Sequence, residues 1–255
     1  MDFTLSQYGM LLSALKHEYS SFQTVKDFLQ NTKPKSIILR HDVDLLPENS
    51  LLFAKEQEKK SIQGSYYFRA VPESWDEKII KEIANLGHEI GYHYETMDTA
   101  KGDIDKAWDQ FRFHLDTLRK LVDVETICMH GSPRSKFDNK KIWEKYDYHS
   151  LGIIGEPYYD LDFDEVFYLT DTGRRWDGWK TSVRDKVSQQ KDWIKKGLVF
   201  HSTFDIINSV RSKNFPDQVM FTFHPQRWHD NKVLWAKELL FQNVKNQIKK
   251  QLIKK

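Results

Sequence analysis

Short apolar runs alternate with helix-periodic stretches along most of the chain. Residues 36–40, Ser-Ile-Ile-Leu-Arg, centre on an apolar Ile-Ile-Leu run and read as a buried strand. Pro47 and Glu48 open a helix that runs to about Lys60, because a proline in the first turn costs no hydrogen bond. A second strand is predicted over 65–68. The helix after it starts near Ser74, the expected cap, with Glu77 three residues on, and ends at Leu86 before Gly87. Residues 89–92 read as a third strand, 103–122 as a long amphipathic helix and 125–129 as a fourth strand.

Further apolar runs fall at 151–154, 166–169, 198–200 and 219–223. Helical patterns occupy 185–196 and 204–212, and from about Asn231 onward the chain reads as one amphipathic helix. Repeated strand–helix units favour a parallel sheet covered by helices. The expectation is therefore a single α/β domain over 1–255, a distorted (β/α) barrel of about seven parallel strands with N-terminal and C-terminal helical additions. The Asp- and Tyr-rich stretch 155–165 is expected to be a functional loop.

Composition narrows this picture. Basic and acidic residues number 39 and 37, and they are interspersed to a net charge of only +2, which speaks against a nucleic-acid binder. Lys249, Lys250, Lys254 and Lys255 make the one basic cluster, expected as a solvated helix end. Cys128 is the sole cysteine, which excludes an intrachain disulfide and suits a reducing compartment. Its apolar neighbours predict a buried, inert thiol. The N-terminus shows no basic-then-apolar leader pattern, and no run approaches the ~18 apolar residues of a membrane span. A cytoplasmic protein without a membrane span is expected.

The chemistry gathers where the strands end. Arg40, His41, Asp42 and Asp44 follow the first strand, Arg69 the second, His93 and Glu95 the third, and His130 the fourth. Asp171, His201 and His224 follow later apolar runs. In parallel α/β barrels the carboxyl ends of the strands share one face, and sites are built there. Carboxylates and imidazoles converging on one face suit a divalent ion, Zn²⁺ first, with an open position for water. A further carboxylate can take the water's proton, and an imidazole can protonate a leaving amine.

These residues resemble a known family. Leu39-Arg40-His41-Asp42-Val43-Asp44, then Gly87-His88-Glu89-Ile90-Gly91-Tyr92-His93, then Phe223-His224 are similar to motifs of the polysaccharide deacetylases, the NodB-homology or carbohydrate esterase 4 family. The resemblance spans about residues 36–229. It implies a barrel of about seven strands and metal-dependent removal of N-acyl groups from amino sugars. It implies Asp42 as catalytic base, Asp44 and His93 as metal ligands and His224 as general acid, with Asp171 and Trp176 shaping the site around that acid. Two positions depart from the pattern. Met97 stands where a second metal histidine is expected, and Met129-His130-Gly131-Ser132-Pro133 replaces an Arg-x-Pro motif. The third ligand is therefore open between His130, placed first, and Glu95.

Other candidates carry less. Strand alternation turns His41 away from Asp42, and His88 lies at the opposite end of the third strand, so both are expected to be structural. His201 precedes a helix cap and is expected to support structure. Arg174, Arg175, Trp176, Asp177, Gly178 and Trp179 form a dense charged and aromatic loop. From it and its surroundings, Arg69, Arg174, Trp176 and Arg227 are expected to contact an anionic sugar substrate. The functional expectation is an N-acetyl or N-formyl hydrolase acting on an amino sugar or nucleotide sugar during surface-polysaccharide assembly. Two alternatives remain: a metal-independent hydrolase of small amides or cyclic imides, and a non-catalytic glycan-binding barrel. The C-terminal helix can pack on its own barrel or on a second copy to form a homodimer.

Overall fold

The computed structural model describes residues 1–132, 135–178, 182 and 187–253, the side chains of 249–253 apart. Pro133, Trp179, Lys254, Lys255 and the start of the helix expected over 185–196 lie outside the described residues, as do the side chains of Lys249 and Lys250. The chain opens with α1 (Leu5–Glu18), β1 (Phe22–Gln23) and α2 (Val25–Gln30). Then follow β2 (Ser36–Val43), α3 (Pro47–Glu58), β3 (Ser65–Phe68), α4 (Glu77–Asn85) and β4 (Glu89–Tyr94). After them come α5 (Thr96–Thr99), α6 (Ile104–Arg119), β5 (Ile127–Met129), α7 (Pro157–Asp160) and β6 (Phe167–Thr170). The last elements are α8 (Gln190–Lys195), α9 (Thr203–Arg211), β7 (Gln218–Phe223) and α10 (Lys232–Ile253).

The seven strands form one sheet in the order β5-β4-β3-β2-β7-β6, with β1 pairing β2 beside β3. Every pairing is parallel, as crossover helices require. The result is a half-barrel with β5 and β6 as its edges among the described residues. Strand β2 lies in its middle and is buried along its whole length. Its side chains alternate. His41 points to the helices, stacked on Tyr66 at 4.1 Å and close to Phe53 of α3. Arg40 and Asp42 point to the concave interior, where the Arg40 guanidinium lies 5.1 Å from the Tyr158 ring.

Several expectations are corrected. Residues 148–151 form a 3₁₀ turn instead of the strand expected over 151–154. An isolated parallel bridge joins Gly155 to Thr126 beside β5. Residues 198–200 make no strand; Phe200 instead packs its ring against Phe167 and Phe215. The cap of α4 is Asp76, whose carboxylate accepts from the Lys78 and Ile79 amides. Ser74 is drawn elsewhere: its hydroxyl donates to Val43 O and accepts from Arg69 N, tying the ends of β2 and β3 together. Helix α10 spans the expected C-terminal stretch, but it turns Gln242 and Asn246 to the body and leaves Leu234, Leu240, Phe241, Val244 and Ile248 exposed. Asn246 Nδ2 donates to Gly173 O at 2.9 Å, so polar contacts seat this helix.

Candidate metal centre and active site

The strand ends bring the expected residues together. Asp42 is the last inward residue of β2, Asp44 follows the strand, His93 lies on β4 and His130 directly follows β5. Asp44 Oδ1 is 3.6 Å from His93 Nε2 and 3.7 Å from His130 Nε2. Asp42 Oδ2 is 3.7 Å from the same His93 nitrogen.

Each group is held by a neighbour. His93 Nδ1 donates to Cys128 O at 2.9 Å, which leaves Nε2 with its lone pair in the neutral ring. His130 Nδ1 lies 2.9 Å from Glu95 Oε2, an ion-pair distance outside hydrogen-bond geometry. Arg69 holds both Glu95 oxygens and also donates to Asp44 O at 3.0 Å. Arg40 grips Asp42 with two bonds of 2.8 and 2.6 Å in a fully buried pair. Gln226 Nε2 donates to Asp44 Oδ2 at 3.0 Å, while Asp44 Oδ1 is buried with no hydrogen-bond partner.

Charges here follow from burial and neighbours. Burial works to raise the Asp44 carboxyl, but the His93 imidazole, with His130 and His224 nearby, holds it well below the usual range. Burial likewise opposes ionisation of Glu95, and His130 and Arg69 outweigh it, bringing Glu95 down to about 2. Burial pulls His130 down, yet Glu95 and Asp44 raise it overall.

Next to this cluster, Asp171 and His224 form a second pair after β6 and β7. Asp171 Oδ1 accepts from His224 Nδ1 at 2.5 Å. Asp171 Oδ2 accepts from Trp228 Nε1 at 2.6 Å and from the His224 amide at 3.0 Å. Arg227 Nη1 approaches its carbonyl at 3.2 Å. Burial opposes the Asp171 charge, but His224 and Arg227 hold the carboxyl below its usual range.

Two donor sets meet at His93. Asp44, His93 and His130 offer one oxygen and two nitrogens, and the orphaned Asp44 oxygen fits a cation there. Separations of 3.6 and 3.7 Å are close to those of donors on one ion with bonds of ~2.0–2.2 Å. Among the described residues, the three whose donor atoms all lie within 4.8 Å of one another are Asp42, His93 and Cys128; Asp44 joins His93 and His130 only pairwise at 3.6 and 3.7 Å. Sequence reasoning treated Cys128 as inert. The signal for its place was register: Cys128 stands opposite His93 in the β4–β5 pairing. The roles of Arg40 and Gln226 also went unread, because both act through contacts between segments.

The substrate contacts expected on the Arg174 loop meet a different arrangement. Trp176 is only 2% exposed, among Phe3, Phe221, Phe223 and Trp228, and its Nε1 donates to Thr203 Oγ1. Its ring has no free face for a sugar. Arg174 is 6% exposed, stacked 4.4 Å from the Trp235 ring and donating to Trp235 O, so it seats α10. Arg69 and Arg227 are committed to Glu95 and Asp171. His41 is buried, pushed down to about 3 by burial, and held between Tyr8 OH and Ser65 O. His88 joins Gly64 N and Ala54 O. His201 lies 3.3 Å from Asp177 on an exposed turn.

No family model matches the chain, and no curated protein matches it significantly. Solved structures similar to it include a carbohydrate esterase 4 family pseudoenzyme from Bacillus anthracis (14% identity, 84% of this chain and 61% of that one, TM-score 0.45). The family 4 carbohydrate esterase PdaA of Bacillus subtilis follows at 16% identity, 92% and 83% coverage, and TM-score 0.41. The peptidoglycan deacetylase PdaC of the same organism follows at 12% identity, 86% and 98% coverage, and TM-score 0.40. The chain spans less than two thirds of the pseudoenzyme's length. With these TM-scores below 0.5, the functional reading rests on this chain's own side chains.

Proposed function

We propose that this chain is a divalent-metal-dependent hydrolase that removes a small N-acyl group, acetyl or formyl, from an amino sugar or nucleotide sugar. The observation that carries this reading is the orphaned Asp44 Oδ1 between the Nε2 atoms of His93 and His130. An oxygen and two imidazole nitrogens suit Zn²⁺. When bound, the ion polarises a carbonyl and lowers the pKa of a water.

The chain's residues divide the remaining work. Arg40 fixes the Asp42 carboxylate, and Asp42 Oδ2, within 3.7 Å of His93 Nε2, takes the proton of the attacking water. His224 donates an Nδ1–H hydrogen bond to Asp171, and the imidazolium form so stabilised carries on Nε2 the proton that passes to the departing nitrogen. Trp228 and Arg227 steady Asp171. Glu95 orients His130, while Gln226 holds Asp44 by its other oxygen. Glu95 therefore acts behind the third ligand and not as one.

A precursor of surface polysaccharide is the favoured substrate class. The test is a panel of N-formyl and N-acetyl amino sugars and nucleotide sugars, assayed for acyl release with and without a chelator. Chelator-sensitive release supports the reading. Undiminished release points to a metal-independent amidase, and none on any substrate to a binding protein.

A further inference from the structure

Behind the Asp44 cluster lies a second set of donors that the proposed hydrolysis does not use. Asp42, His93 and Cys128 come from β2, β4 and β5, point into the half-barrel and are all buried. Their donor atoms lie within 4.8 Å of one another. Arg40 adds a positive charge bonded to Asp42; it is 1% exposed and keeps Nη1 buried without a hydrogen-bond partner. A metal bound here takes the thiolate and releases the thiol proton to solvent.

We propose that this is a second metal position, selective for thiophilic divalent cations such as Cd²⁺ or Zn²⁺ in excess, and that filling it switches the enzyme off. Competition follows from one atom. His93 Nδ1 is committed to Cys128 O, so Nε2 holds the ring's only available lone pair. That atom stands 3.6 Å from Asp44 Oδ1 and 3.7 Å from Asp42 Oδ2. It serves one ion at a time. An ion on the inner side also engages Asp42, the proposed base, and withdraws it from proton transfer.

Selectivity follows from donor type. The outer set offers oxygen and nitrogen alone, whereas the inner set adds sulfur. Thiolate favours soft or borderline ions and rejects Mg²⁺, Mn²⁺ and Ca²⁺. Charge permits occupation: the Asp42 carboxylate, the Cys128 thiolate and the Arg40 guanidinium sum to one negative charge beneath the ion. The inhibition rests on the proposed function; the binding does not.

The test is titration of metal-free protein with Cd²⁺, followed by the ultraviolet thiolate-to-cadmium charge-transfer band. Cys128 is the only cysteine, so the band reports this site alone. The wild type is expected to show a saturable band that Cys128→Ala abolishes and that Asp44→Asn leaves in place. His93→Gln should weaken the affinity by about tenfold or more. Circular dichroism of each variant confirms that it is folded. In activity assays, Cys128→Ala should resist Cd²⁺ at about tenfold higher concentration than wild type. Absence of the band in the wild type, or a band unchanged by His93→Gln, overturns the proposal. A saturable band in a protein without acyl-release activity upholds the site and removes only the proposed hydrolysis.

Discussion

Asp44 Oδ1 lies 3.6 Å from His93 Nε2, buried and without a hydrogen-bond donor of its own. Stripping a carboxylate oxygen of water without replacing its partners is costly. A cation is the natural occupant of that position. Asp44→Asn keeps the side chain's shape but removes its charge. Metal affinity should fall by about 100-fold or more, and acyl release should fall with it. Equilibrium dialysis with metal analysis measures the first effect and a turnover assay the second.

The Asp171–His224 pair acts on the leaving group and not on the ion. Asp171→Asn should lower kcat by about 10²–10⁴-fold while leaving metal content unchanged. Loss of metal in this variant would place Asp171 in the metal centre instead.

Metal affinity should rise with pH. Glu95 and Asp44 raise His130 against the pull of burial, so the metal-free protein holds this proton more tightly than an isolated histidine. Binding must expel it. Below the raised pKa, affinity should climb about tenfold per pH unit if one proton is released. Calorimetry in buffers of different ionisation enthalpy counts that proton, and Glu95→Gln should shift the rise to lower pH.

Glu156 sets a separate pH dependence in stability. Burial raises its carboxyl from 4.5 to about 7, against the Met129 and Tyr158 amides and the Arg40 charge that favour ionisation. The folded state therefore binds this proton more tightly than the unfolded chain. Its contribution is full below pH ~4.5 and is lost as pH rises through about 7, by on the order of 3 kcal/mol. Urea midpoints measured across that range should fall with pH, and Glu156→Gln should flatten the fall.

The concave interior tolerates no extra atom at Gly91. A Cβ there would lie 2.3 Å from Tyr67 Cε1 and 3.0 Å from Thr126 O. Gly91→Ala should destabilise the protein by about 1–3 kcal/mol in urea unfolding, because both obstacles are locked in the sheet.

Much of this site was legible because parallel strands impose a rule. An apolar run covered on both faces must end in polar residues, and those ends share one face. That rule singles out Asp42, Asp44, His93, His130, Asp171 and His224, which the structure brings close together and whose roles are proposals. Strand alternation separated His41 from Asp42, and the structure places His41 against Tyr8, Phe53 and Tyr66. What escaped has physical causes. Strand β1 is two residues long, too short for a period to register. The run 198–200 has strand composition, but Phe200 is spent on an aromatic cluster. Arg174 and Trp176 look like ligand contacts in sequence, and only α10 and α9 reveal that their partners are Trp235 and Thr203. Cys128 reads as core until pairing with His93 sets its position.

The most direct measurement is the metal content of protein purified without added metal, set beside its acyl-release activity before and after chelation. The account predicts close to one divalent ion per chain, activity lost with that ion and regained on its return, and Asp42→Asn inactive but still metal-loaded. Metal-free protein that binds no divalent ion on titration, or full activity after complete metal removal, would contradict it.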